Sequence, residues 1–95
     1  MNTAQKGARA ERRTIAVLEA AGYTCVRSAA SKGLFDVVAW NGVHWRVIQV
    51  KAGKENLSGI EREQIQLHAM PGNATKECWR WPSMGLTAVP LIEVL

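Results

Sequence analysis

The sequence predicts a mixed α/β domain in the order αβββαββ, a central mixed sheet with helices packed on it. Three observations predict it. Residues 4 to 21 are rich in alanine and read as a helix that Gly22 ends. Short apolar, β-branched runs separated by turn residues fill the middle of the chain. Ser58-Gly59-Ile60-Glu61 has the capping-box pattern that opens a second helix, and two more short runs follow it.

Taken in order, the first helix has a mixed character. With 100° per residue, Ala4, Gly7, Ala8, Thr14, Ile15, Leu18 and Gly22 fall within roughly 60° of Glu11. Lys6, Arg9 and Arg13 lie on the opposite side. Glu11 is then the only charge on the face turned to the sheet, where a carboxylate costs several kcal/mol, on the order of a lost buried hydrogen bond or more, unless it is compensated. Either it belongs to a site or it pairs with an arginine. Tyr23 to Ser28 reads as a strand and AASKG as a polar loop, followed by strands over 34–40 and 43–52. A helix from 59 to about residue 70 stops before Pro71-Gly72. Strands over 75–81 and 87–94 flank the turn Pro82-Ser83-Met84-Gly85.

Bulk properties narrow the class. Ninety-five residues suit one domain, 1–95, with ordinary apolar and charged fractions. No apolar run is long enough to span a membrane and no apolar signal segment opens the chain, so a cytoplasmic protein of a prokaryotic or phage-infected cell is expected, without membrane or small-molecule partners. Cys25, Cys78, His44 and His68 have no zinc-ligand spacing. Charge is uneven: residues 1–32 carry six basic and two acidic side chains, residues 33–95 six of each. A basic first third on a neutral body suits an anionic partner along one edge, although a basic helix face is often only solvated.

The stretch DVVAWNGVHWRVIQVK (36–51) carries the chemistry. Asn41-Gly42 suits a two-residue turn, which pairs residue 40 with 43 and places Asp36 opposite Val47. The alternation of a strand then sets Asp36, Val47, Gln49 and Lys51 on one face, with Gln49 diagonal to Asp36 and with His44 and Arg46 on the other face. An Asp36–Lys51 ion pair is the simple explanation, but buried pairs are poor stabilisers. A carboxylate, an amide oxygen and a lysine on an apolar sheet, with a helical glutamate near, fit a site for a hard divalent ion, Mg²⁺ or Mn²⁺. Such an ion with a lysine beside it meets the needs of phosphodiester hydrolysis, and the basic N-terminal third would hold the polyanion.

Asp36, then Gln49-x-Lys51 after a helical glutamate, resembles the PD-(D/E)xK nuclease pattern. KGARAER (6–12), VRSAASKG (26–33), DVVAWNG (36–42) and VIQVK (47–51) resemble the archaeal-type Holliday junction resolvases, Hjc, over about the first 52 residues. The resemblance implies a restriction-endonuclease-like fold and a homodimer. It also implies Mg²⁺-dependent nicking of opposed strands in a four-way DNA junction, leaving 5′-phosphates. By the same resemblance Glu11, Asp36, Gln49 and Lys51 are catalytic, and Glu11, Asp36, Gln49 and Val50 surround the metal. Lys6, Arg9, Arg12, Arg27, Ser31 and Lys32 are the implied DNA contacts.

Two departures stand out. Gln49 replaces the usual acidic ligand, which removes one negative charge from the site; QxK also occurs in Mrr and VRR-NUC nucleases. KECWRWP and PLIEVL, in the tail, are more similar to small VRR-NUC or phage-encoded relatives. A flap, fork or nicking nuclease of that type, and a DNA-binding protein with a degenerate site, are therefore the alternatives. Trp79 and Trp81 share one strand face and are expected in the core or at a subunit contact rather than as a base-stacking platform.

Overall fold

The first helix, α1 (Thr3–Ala20), ends as its sequence requires. Gly22 takes φ +95°, its N–H bonds Glu19 O at 3.0 Å, and Tyr23 N–H bonds Leu18 O at 3.0 Å, a Schellman closure that only a left-handed residue permits. A computed structural model describes residues 3–28 and 33–95, with side chains from residue 6 onward. Ser31 and Lys32 lie outside the described residues. The remaining elements are β1 (Thr24–Arg27), β2 (Val37–Trp40), β3 (Trp45–Ala52), α2 (Gly59–Leu67), β4 (Ala74–Trp81) and β5 (Leu91–Val94). The expected order αβββαββ is the observed one.

The strands form one five-stranded sheet in the order β1-β2-β3-β4-β5. Only β3 and β4 run parallel, because α2 carries the chain between them; the other pairs are antiparallel. Val37, Ala39, Ile48, Val50, Ala52, Trp79 and Trp81 line the face on which Ala10 and Leu18 of α1 pack, and they make the core. Trp79 and Trp81 are 1% exposed, so of the two expected places, core or subunit contact, they take the core. Each indole finds an acceptor: Trp79 Nε1 donates to Glu77 Oε1 (2.9 Å), Trp81 Nε1 to Thr14 Oγ1 (2.8 Å). α2 lies on the opposite face, where Lys51, Lys76 and Glu93 meet Glu61, the Gln66 carbonyl and Arg62 in turn.

Two expectations are corrected here. Trp40 pairs with Trp45 and Val37 with Ile48, so the β2–β3 register is displaced by two residues from the one a tight Asn-Gly turn gives. Gly42 does not have the positive φ such a turn needs. Instead Asn41 Oδ1 accepts from the N–H groups of Val43 (3.0 Å) and His44 (2.8 Å), an Asx arrangement that holds a longer loop. A shift of two preserves every facing, which is why the site side chains still share a side. The second correction concerns the buried stripe of α1. Ala10 and Thr14 are fully buried and Glu11 sits at the rim, so the stripe is turned by roughly 50° from one centred on Glu11.

Strands also begin later than expected. β2 starts at Val37 rather than 34, and β5 at Leu91 rather than 87. In the latter segment Arg13 explains the difference. Its guanidinium bonds the carbonyl oxygens of Met84 (3.2 Å), Gly85 (2.9 Å) and Leu86 (3.2 Å) and lies over the Trp81 ring, which holds the chain in a turn before Pro90.

Candidate metal-dependent nuclease site

β2 is short at its start, and that sets the geometry. The backbone groups of Ile48 and Val50 point to the β2 side, as the Asp36 N–H to Ile48 O bond shows (2.8 Å). Since β2 begins only at Val37, Val50 N–H has no strand partner there. The Asp36 carboxylate takes it: Val50 N–H donates to Oδ2 at 2.8 Å. Asp36 itself is clamped, its carbonyl accepting from Ser28 N–H at 2.9 Å.

Asp36 is 8% exposed, and its carboxyl is shifted above the ordinary value of 3.8. Burial is the main cause. The Val50 N–H opposes it, Glu11 and Glu61 add to it, and Lys51 opposes it. Glu11, Glu61 and Lys51 thus act on Asp36 through space. Asp36, Gln49, Glu61, Gln64 and His68 line an open cavity of about 990 Å³ between the sheet and α2. Among the described residues the Gln49 amide makes no side-chain hydrogen bond. Lys51 Nζ, on the same sheet face, donates to Glu61 Oε2 at 3.0 Å.

Glu11 takes the arginine-paired placement, one of the two that the sequence allowed. It is 9% exposed, but Arg27 Nε donates to its Oε1 at 2.6 Å, and Arg27 shares the α1 side of the sheet with its β2 partner Val37. The structure therefore brings Asp36, Gln49 and Lys51 together at one end of β3. Glu11, from α1, is paired with Arg27, and Asp36 feels its charge more than that of Lys51 or Glu61. Of the basic residues, Arg9 and Arg12 are exposed, and Arg27 is one-third exposed at 34% while bound to Glu11. Lys6 reaches Gly53, whose φ of +66° and missing side chain make room for the ammonium.

The donor set suits a hard cation. Among the described residues one Asp36 oxygen is engaged, the Gln49 oxygen is available, and like-charged carboxylates raise the cost of leaving Asp36 ionised alone. Among the described residues no three His, Cys, Asp or Glu side chains group as metal ligands, so neutral oxygens have to complete the set. Sequence reading missed Glu61, Gln64 and His68 as cavity residues. The signal was present: with Ile65 they follow the i, i+3, i+4, i+7 spacing of one helix face, and Ile65 is buried against the sheet.

Comparison with known proteins gives the family and the fold. The family model described as archaeal Holliday junction resolvase (hjc) matches residues 2–69, further than the first 52 residues that the motifs cover. The structure of Hjc from Archaeoglobus fulgidus, a Holliday junction resolvase from an archaeal hyperthermophile, superimposes with a TM-score of 0.71 at 31% identity. The match covers 94% of this chain and 72% of that one.

Proposed function

This chain belongs to the archaeal Holliday junction resolvase family, and from that membership we propose that Asp36, Gln49, Val50 and Lys51 perform the hydrolysis, with Mg²⁺ as the ion. The protein is a DNA endonuclease that resolves Holliday junctions, in a family of metal-dependent nucleases with the restriction-endonuclease-like fold. The observation that carries the residue assignment is the Asp36–Val50 bond, which fixes the carboxylate beside Gln49 at the cavity. The Val50 carbonyl, on the same strand edge as its N–H, faces the same way.

When bound, the divalent ion polarises a phosphoryl oxygen and lowers the pKa of water. Asp36 supplies the one negative oxygen of the ligand set; the Gln49 amide and the Val50 carbonyl supply neutral ones. Lys51 keeps a positive charge where the phosphate gains negative charge in the transition state. Glu11 acts at longer range, through its charge on Asp36, and orients Arg27 toward the DNA backbone. Arg9, Arg12 and Lys6, with Ser31 and Lys32, complete the DNA contacts in this proposal, positioning the junction by its phosphates. A homodimer nicks two opposed strands. Support for it is the unpaired edge of β5, where Leu91, Ile92 and Val94 are exposed.

The test is cleavage of labelled four-way junctions beside flaps, forks and plain duplex, with and without Mg²⁺. Paired nicks in the junction, lost in Asp36→Asn and Lys51→Ala while junction binding persists, are expected. Full activity in Lys51→Ala would remove the lysine from the mechanism. Cleavage of flaps in preference to junctions would move the substrate to the VRR-NUC type.

A further inference from the structure

Glu61 reads in the sequence as the acidic member of a capping box, and it is one: Ser58 N–H donates to its Oε1 (3.1 Å), and its own N–H donates to Ser58 Oγ (3.0 Å). Its other oxygen has a different partner. Oε2 accepts from Lys51 Nζ at 3.0 Å, so one carboxylate is held at both oxygens and its rotamer is fixed by the helix terminus. The Lys51 side chain is only 13% exposed, which separates this contact from a freely solvated surface pair.

Lys51 needs such a partner. In the parallel β3–β4 pairing it stands beside Arg80, and both project on the α2 face. The other anions on that face are engaged, Asp36 by Val50 N–H and Glu93 by Arg62; without Glu61 the two cations repel, and a lysine on a flexible four-carbon stem swings away from the sheet. Glu61 also lines the cavity with Asp36 and Gln49. It is an ionised side chain of α2 at the place where position 49 contributes only an amide.

We propose that Glu61 is a positioning residue of the nuclease site, holding the Lys51 ammonium at the cavity and supplying from α2 the carboxylate charge absent at Gln49. The inference rests on the functional reading above. It gives the second carboxylate oxygen of Glu61 a role apart from the helix cap, linking the start of α2 to the end of β3.

Glu61→Gln keeps an acceptor for Ser58 N–H and removes the charge; Ser58→Ala weakens the cap and leaves Glu61 facing Lys51. Glu61→Gln is expected to slow single-turnover junction cleavage about tenfold and to weaken Mn²⁺ binding to the DNA-free protein, read by titration calorimetry, by a similar factor. Junction affinity in EDTA stays within about twofold of the parent, and Ser58→Ala lowers the unfolding temperature with cleavage within about twofold. In the metal-free, DNA-free protein, NMR relaxation of the Lys51 terminal methylene shows more motion in Glu61→Gln and not in Ser58→Ala. Glu61→Asp, which keeps the charge, recovers part of the rate, and Gln49→Glu in the Glu61→Gln background restores the Mn²⁺ affinity. Parent-like cleavage and Mn²⁺ binding in Glu61→Gln, or a loss in Ser58→Ala as large as in Glu61→Gln, overturns the proposal. Parent-like cleavage by Lys51→Ala defeats the underlying functional reading instead.

Discussion

Burial, with Glu11 and Glu61 adding to it, pushes the Asp36 carboxyl above its ordinary 3.8, against the Val50 N–H and Lys51. The sign of the linkage follows: the folded state holds this proton more tightly than the unfolded chain, so ionised Asp36 costs stability. That cost is absent below the ordinary value and develops as pH rises through the raised one. Asp36→Asn, whose amide oxygen still accepts from Val50, is expected to stabilise the metal-free protein at neutral pH by about 1 kcal/mol while abolishing cleavage. Thermal unfolding in EDTA checks the first half, and a lower unfolding temperature in the variant contradicts it. At Gln49 the proposed neutral ligand would set the metal requirement. Gln49→Glu retains cleavage and reaches half-maximal rate at lower Mg²⁺, measured by titrating the ion; a higher requirement counts against an ion-ligand role for this residue. The sequence showed Gln49 and Asp36 as misplaced polar groups on an apolar strand, and both line one cavity. Glu61 carried no such signal, because a glutamate at the third position of a helix already has a local reason to be there.

The strands illustrate a second scale. Moving the β2–β3 pairing by two residues changed every cross-strand neighbour and left both faces intact, since side chains alternate with period two. Pattern therefore kept Gln49 and Lys51 on one sheet face even where the turn was misread. What pattern could not show is a polar cluster inside the core on the other face. Glu77 is 2% exposed and receives Arg46 Nε (2.8 Å) and Nη2 (2.7 Å), Thr75 Oγ1 (2.6 Å) and Trp79 Nε1. Arg46 in turn lies over the Tyr23 and Trp79 rings. Burial pushes the Glu77 carboxyl up, yet the Arg46, Thr75 and Trp79 bonds outweigh it, and its pKa lies below the ordinary 4.5. This group stabilises the fold above that value, and its contribution is lost as pH falls through the lowered one. Arg46→Met leaves a buried carboxylate unpaired and is expected to cost about 3 kcal/mol, measured by urea unfolding at neutral pH. The loss shrinks at acid pH, where Glu77 takes a proton; an unchanged difference across pH would argue against the pair.

Over the whole molecule, the charge imbalance acquires a direction. The exposed arginines of α1 and the Glu11-anchored Arg27 belong to the N-terminal half of the sheet, whose β2–β3 end carries the cavity. Arg13, from the same helix, is spent on the 84–86 carbonyls and is structural. Replacing Arg12 by alanine is expected to reduce the slope of log junction affinity against log salt by about 1 and to weaken binding without altering junction preference. Arg13→Ala instead lowers the unfolding temperature. Salt titrations of binding in EDTA distinguish them: an unchanged slope for Arg12→Ala removes it from the DNA interface.

Periodicity and capping are local properties, so the sequence by itself determined the order of elements, the shared facing of Gln49 and Lys51, and the common strand face of both tryptophans; that this face is core was decided by the packing. The four motif blocks likewise carried the family. Distances between elements are not local. How α1 rotates on the sheet, that Glu11 meets Arg27, and that α2 brings Glu61 to Lys51 follow from packing two helices on opposite faces of one twisted sheet. Only the tertiary structure decided those contacts, because each depends on side chains far apart in the chain settling their charges at the same time.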